Sequence, residues 1–325
     1  NPRNSRGNNE LTRVERQWLQ IEKVQKNDQT IWLEKAGLTN EMKSWTYPFH
    51  FIDFETSTVA IPFKKDRRPY EGIAFQYSHH TVDKHGFIEH KGEYINCEQG
   101  AFPNYDFLRH LKNELEADNG TIFRYHNHEN TYLNLIYLQL LDDKNLIEDK
   151  EELCNFIRHI TRSTGDAIDP WIGDRSMVDL WVLVKKYYYN PLTNGSNSLK
   201  DVLPATINSS EYLKGKYSKP IYGSSEMPSL NFSNKQWLRL KDGIASNPYD
   251  SLAEMFDGAQ VYDNYENSED IKDGGAAMIA YAKMQFEDLS TNDRNNLRNN
   301  LLRYCELDTL AMVMIYEAWK DWLNL

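Results

Sequence analysis

The sequence predicts an α/β fold, a sheet with helices packed against it, and three observations carry that expectation. Strand-like runs rich in β-branched and aromatic residues stand at His50–Thr56, Ile73–Ser78, Phe87–His90 and Thr121–Tyr125, separated by turn-forming residues. Among them, apolar residues recur at helical spacing, as at Phe107, Leu108, Leu111 and Leu115 in a helix over 101–117. A further helix over 290–320, capped by Ser290 or Thr291, carries Leu297, Leu301, Cys305, Met312, Ile315 and Trp319 along one buried side.

In chain order, residues 1–9 are rich in Asn, Arg and Gly and read as a disordered lead-in. Residues 10–46 read as an N-terminal helical extension, because Trp18, Ile21, Val24, Ile31, Trp32 and Leu38 recur at helix-like spacing among charges. The main domain is expected over 47–325. Its second and third strands form a hairpin through Asp83-Lys84-His85-Gly86, and Asn119-Gly120 ends the 101–117 helix before the fourth strand. Helices follow near 129–142 and 150–163, then a helical run from Val178 to Tyr188. Roughly 190–275 is punctuated by Pro191, Gly195, Pro204, Pro220, Gly223, Pro228 and Pro248 and reads as an irregular insertion, a lid or substrate-binding segment. Gly274-Gly275-Ala276-Ala277 is too short for a phosphate loop and suits a tight helix start.

The composition excludes several classes. With 40% hydrophobic and 13% aromatic residues, the 325-residue chain can bury a sizeable core and does not read as disordered. No run of about 18 apolar residues occurs, so no membrane span is expected. The N-terminus lacks the apolar core of a signal peptide and begins at Asn1, as expected for a processed product or a piece of a longer protein. Cys97, Cys154 and Cys305 are far apart, which points to reduced thiols in a cytoplasmic protein and away from a zinc site. A formal net charge of −11 does not favour long-range attraction to nucleic acid, an obstacle that a metal site and a local basic groove can overcome.

The run His50-Phe51-Ile52-Asp53-Phe54-Glu55-Thr56 is the most informative in the chain. Two carboxylates inside an aromatic strand need something to offset their burial, and a hard divalent cation, which takes oxygen ligands, would do so. On a strand, Asp53 and Glu55 share one face while Ile52, Phe54 and Thr56 take the other. A solvated strand face is the plain alternative, and the aromatic neighbours weigh against it. In the 290–320 helix, Tyr304 and Asp308 are four apart and share a face, which by itself describes an ordinary helix pair. Glu129 follows the fourth strand at a helix start, where sites form in open sheets and where the helix dipole alone also favours an acid.

With these residues noted, the chain resembles the 3′–5′ exonucleases of the ribonuclease H-like superfamily that carry four acids and a tyrosine, often called DEDDy. Their Asp-x-Glu strand is matched by Asp53 and Glu55, and their Tyr-x-x-x-Asp helix by Tyr304 and Asp308. Their acid at a strand-to-helix junction is best matched by Glu129, although most relatives carry Asp there, with a differently spaced Asn. A closer resemblance is to a bacterial domain family of unknown function whose members are predicted nucleases of this type. Its phrases look like Asp53-Phe54-Glu55-Thr56, Pro69-Tyr70-Glu71 with Phe75-Gln76-Tyr77-Ser78, Gly195-Ser196-Asn197-Ser198-Leu199-Lys200 with Val202-Leu203-Pro204, and Tyr304-Cys305-Glu306-Leu307-Asp308-Thr309, over roughly 48–320.

The resemblance implies a ribonuclease H-like mixed sheet flanked by helices, a nucleic-acid substrate (DNA or RNA) and two Mg²⁺ or Mn²⁺ ions. Two such ions about 3.5–4 Å apart can clamp an in-line phosphodiester displacement. Asp53 would then bridge both ions, Glu55 and Asp308 would hold the one that activates water, and Glu129 would hold or orient the other. Tyr304 would orient the water, since a phenol of pKa about 10 is a poor base at neutral pH.

Other candidates are weaker. Asp179 is the runner-up for the fourth acid, with a supporting role as the resemblance implies. His79, His80, His126 and His128 suggest a second metal site or, more simply, hydrogen-bonded side chains. Lys64-Lys65-Asp66-Arg67-Arg68, together with Ser196, Ser198 and Lys200, could contact phosphates or lie in solvated loops. Tyr187-Tyr188-Tyr189 could stack bases or simply pack. Two alternatives stand beside a nuclease: a nucleic-acid-binding or regulatory module that has lost turnover, and a glycosidase using two carboxylates.

Overall fold

The computed structural model describes residues 10–165, 167, 169–252 and 271–325. The lead-in over 1–9 and part of the expected insertion therefore lie outside the described residues. In chain order the elements are α1 (Arg13–Gln25), β1 (Trp32–Leu33), α2 (Lys35–Lys43), β2 (Phe49–Ser57), β3 (Ile73–Val82) and β4 (Ile88–Ile95). Then come α3 (Asn104–Leu115), β5 (Ile122–Arg124), α4 (His128–Asp142), α5 (Lys150–Ile160), β6 (Val178–Asp179), α6 (Leu180–Tyr187) and β7 (Tyr188–Tyr189). Last are α7 (Leu199–Asn208), α8 (Glu211–Tyr217), the pair β8 (Leu240–Lys241) and β9 (Ile244–Ala245), α9 (Ile271–Phe286) and α10 (Thr291–Leu323).

The fold is α/β, with one mixed five-stranded sheet in the order β4-β3-β2-β5-β6. Strands β2, β3 and β4 run antiparallel as a meander, whereas β5 pairs parallel to β2 and β6 parallel to β5. The period-2 alternation of β2 divides its side chains between two cores. Phe49 and Phe51 join Phe123 and the apolar residues of α6, α7 and α10 on one face. Ile52 and Phe54 pack on the other against Phe107 and Leu111 of α3, Leu133 and Ile136 of α4, and Ile157 of α5. Asp53 and Glu55 therefore belong to the α10 face.

Three expectations are corrected. The run Val178–Tyr188 is not one helix: Val178 and Asp179 form the fifth strand, α6 starts at Leu180, and Tyr188 leaves it for a short pairing with Leu33. The cause is Asp179, whose carboxylate accepts the Trp181 amide at 3.0 Å and so caps α6. The 190–275 stretch is less irregular than expected, since α7 and α8 lie within it and Val202, Leu203, Ile207, Leu213 and Tyr217 join the main core. Pro204 sits inside α7 and was misleading as a break. Finally, α10 is buried on every side from Cys305 to Trp319, because α7, α8 and residues such as Tyr222 cover the side expected to face water.

The 10–46 segment is helical as expected and is tied to the rest. Thr12 and Glu15 form a reciprocal cap at the start of α1. Leu38, Met42 and Trp45 enter the main core, and Trp32 pairs with Tyr189. The Tyr187–Tyr189 run is buried and packs, so it offers no stacking platform. Among the described residues no helix is long and apolar enough to cross a membrane.

Candidate functional site

A cleft of about 360 Å³ opens at the carboxyl ends of β2 and β5, beside α10. It is lined by Asp53, Glu55, Glu129, Tyr304 and Asp308, all five residues singled out from the sequence, together with Tyr125, His126, His128, Ser198 and Lys200. The geometry of the sheet explains this convergence. Strand β2 lies between an antiparallel and a parallel neighbour, so the chain leaves its carboxyl end and that of β5 on the same edge, the usual place for a site in such sheets. The β2–β3 register slips between Glu55 and Thr56, a bulge that ends regular pairing beside the second acid.

The four acids are close enough to change one another's chemistry. Burial, then the charges of Asp308, Glu129 and Glu55, push the Asp53 carboxyl well above its ordinary range. Burial and Asp308 push Glu55 up to about 8, with Lys200 opposing. Burial also raises Glu129 to about 8, against the pull of its own helix amide and Arg124. Glu129 is 1% exposed, and its Oε2 finds no hydrogen-bond partner in the protein. A buried carboxylate oxygen left without a donor is costly unless something else compensates it. The four carboxylates suit hard divalent cations, and the tightest group of donor atoms, within 4.8 Å of one another, is Asp53, Glu55 and the softer Cys305 thiol.

Around the acids is a supporting frame. The Cys305 thiol lies 3.6 Å from Asp53 Oδ2 and 3.5 Å from its backbone oxygen, steadying the residue between α10 and β2. Tyr249 donates to Asp308 Oδ1 at 2.5 Å. Asp179 stands behind the cleft: Oδ2 takes the Arg124 guanidinium at 3.0 Å and Oδ1 takes the His126 amide at 3.0 Å. His126 itself has a φ of 72°, so this pairing holds the turn that delivers Glu129 in a backbone conformation uncommon for histidine. Glu129 rather than Asp179 is thus the acid that lines the cleft.

Sequence reasoning missed Tyr249, which followed an Asn-Pro pair in a stretch expected to be irregular and carried no periodic signal. Lys200 was noted only as one of several possible phosphate contacts. The structure does not bring the other cationic cluster to the acids. Arg67 pairs with Glu71 at 3.2 Å and stacks on Phe102, and Arg68 pairs with Asp142, away from the cleft lining. The histidines divide, His126 and His128 lining the cleft and His79 and His80 lying in the core. His79 and His80 are buried, with His79 bonded to His50 and Glu114 and His80 to Thr309 and Tyr222; His128 bonds Thr56 at the cleft rim.

The family model described as "Domain of unknown function (DUF2779)" matches residues 50–198. The matched stretch holds Asp53, Glu55, Glu129 and Asp179 and stops short of Lys200, Tyr304 and Asp308. No curated protein and no solved structure matches the chain.

Proposed function

We propose that this protein is a metal-dependent phosphodiester hydrolase, a 3′–5′ exonuclease on a ribonuclease H-like fold. The observation that carries the reading is the meeting of Asp53, Glu55, Glu129 and Asp308 with Tyr304 in one cleft, drawn from three separate elements. The mixed sheet flanked by helices is compatible with the fold that the resemblance implies. Asp53, Glu55, Glu129 and Asp308 would hold Mg²⁺ or Mn²⁺ in this cleft, with Asp53 facing the charges of the other three. Bound there, the ions supply Lewis-acid charge that acidifies water and neutralises the phosphate. The protein's own groups keep the acids gathered, hold Glu129 on its turn through Asp179, and offer the Tyr304 hydroxyl to orient the attacking water.

The presence of Glu129 in the same cleft as the other acids favours turnover over a binding module that has lost it. Digestion of end-labelled linear and circular DNA and RNA with Mg²⁺ or Mn²⁺ tests the reading. Linear strands should shorten from their 3′ ends. Asp53→Asn should lower the rate about 10²–10³-fold, the usual cost of removing one preorganised charge-stabilising group. Equal activity in that variant would sink the metal mechanism, and attack on circles would replace the exonuclease with an endonuclease.

A further inference from the structure

We infer that the Cys305 thiol is a ligand position of this centre, so that Asp53, Glu55 and Cys305 together take a thiophilic divalent ion of the Zn²⁺ class. The inference rests on the metal-binding part of the phosphodiesterase reading and adds to it a ligand and an ion class. Mg²⁺ is held through oxygen, whereas Zn²⁺ accepts thiolate sulfur and carboxylate oxygen alike. The wide spacing of the three cysteines in sequence argues against a set of several thiols. One thiol closing on two carboxylates through the fold is a different set.

The distances suit such an ion. A tetrahedral centre with sulfur at about 2.3 Å and oxygen at about 2.0–2.2 Å holds those two atoms about 3.5–3.7 Å apart. Cys305 Sγ stands 3.6 Å from Asp53 Oδ2, and one donor atom from each of Asp53, Glu55 and Cys305 lies within 4.8 Å of the other two. Asp53 and Glu55 line the cleft, and the fully buried Cys305 meets β2 from α10, so an ion entering from the cleft reaches the carboxylates first. On binding, the S–H bond breaks, its proton leaves to solvent, and the sulfur electron pair forms the bond to the ion. The weak S–H contact with Asp53 is given up in exchange. A separate observation also points to a cation here: Glu129, 1% exposed and lining the same cleft, has an Oε2 without a hydrogen-bond partner among the described residues. The thiol contact leaves that oxygen uncompensated, whereas a cation in the cleft offsets its burial. By contrast His90, Glu93 and Glu306 also lie close together, but Tyr222, Ser229 and Asn231 already donate to Glu306. An ion on Cys305 uses two carboxylates that Mg²⁺ or Mn²⁺ would also use, so the two classes compete.

The test titrates Co²⁺ and Cd²⁺ into the reduced chain, followed by absorption and calorimetry, beside Cys305→Ser, Asp53→Asn and the Cys97→Ser/Cys154→Ser variant. Co²⁺ should give a sulfur-to-metal charge-transfer band in the near ultraviolet that persists in Cys97→Ser/Cys154→Ser and vanishes in Cys305→Ser. Cd²⁺ affinity should fall at least about tenfold in Cys305→Ser, since loss of a group that merely supports a ligand already costs that much, while Mg²⁺ affinity stays little changed. Asp53→Asn should weaken both ions. The wild-type spectrum decides without any variant: Co²⁺ that binds by calorimetry but gives no band overturns the inference, and so does Co²⁺ that fails to bind. A band or a Cd²⁺ affinity that Cys305→Ser leaves unchanged overturns it equally. Digestion of an end-labelled oligonucleotide in Mn²⁺ is read separately. Cleavage without the band removes this inference and leaves the phosphodiesterase reading, whereas the band without cleavage supports the mixed site and removes the turnover.

Discussion

At the scale of single residues, the gathered acids make a measurable demand on pH. Glu55 and Glu129 are raised from 4.5 to about 8 in the folded protein, so between those values the folded state holds more protons than the unfolded chain. Stability carried by these groups is therefore present at low pH and lost as pH rises through that window. Buried His50 acts in the opposite sense. Burial and its neighbour His79 pull it from 6.5 down to about 4, and the stability it contributes is lost as pH falls below about 6.5. Above that point its opposing effect is spent. In EDTA, the melting temperature should fall from pH 6.5 to 8, fall less in Glu55→Gln, and recover at pH 8 on addition of Mn²⁺. Circular-dichroism melts check this, and a wild-type melting temperature that does not change over the window contradicts the close approach of these carboxylates.

At the scale of elements, what the sequence made legible was whatever depends on local pattern. The Asp53 strand, the hairpin after it, the Phe107 helix and the long final helix were all readable because alternation and helical spacing are properties of neighbouring residues. The fifth strand was not, because Val178-Asp179 is two residues long and becomes a strand only through pairing with Phe123 and Arg124. Helix α7 was hidden by Pro204, and the burial of all sides of α10 depends on segments far away in sequence. The same logic applies to the site: the five residues were legible as types and spacings, whereas the approach of Tyr249 and Lys200 to these acids exists only through tertiary packing. Asp179 shows the cost of such packing. Removing its carboxylate by Asp179→Ala leaves Arg124, 3% exposed, without its counter-ion at the turn before α4. That variant should lose about 3–5 kcal/mol in urea denaturation, the range for breaking a buried pair from one side. Asp179→Asn, which keeps an acceptor for the His126 amide, should lose less.

At the scale of the whole molecule, the N-terminal segment is coupled to the cleft through one side chain. Arg16 of α1 is 7% exposed and donates to the Tyr188 carbonyl at 2.6 Å as well as to Asn197, so it joins α1, β7 and the approach to α7. Arg16→Met should cost about 1.5–3 kcal/mol for the charge-assisted bonds and lower turnover severalfold while leaving Mn²⁺ affinity unchanged. Calorimetric titration beside kinetics separates the two effects, and equal loss of ion binding would mean that α1 acts on the acids themselves. The contact of Cys305 with Asp53 spans 252 positions of sequence. During synthesis at about 5–20 residues per second, the acids of β2 must wait on the order of 10–50 s for their partners on α10. A nascent chain thus carries the strand that anchors the cleft long before the helix that closes it has been made.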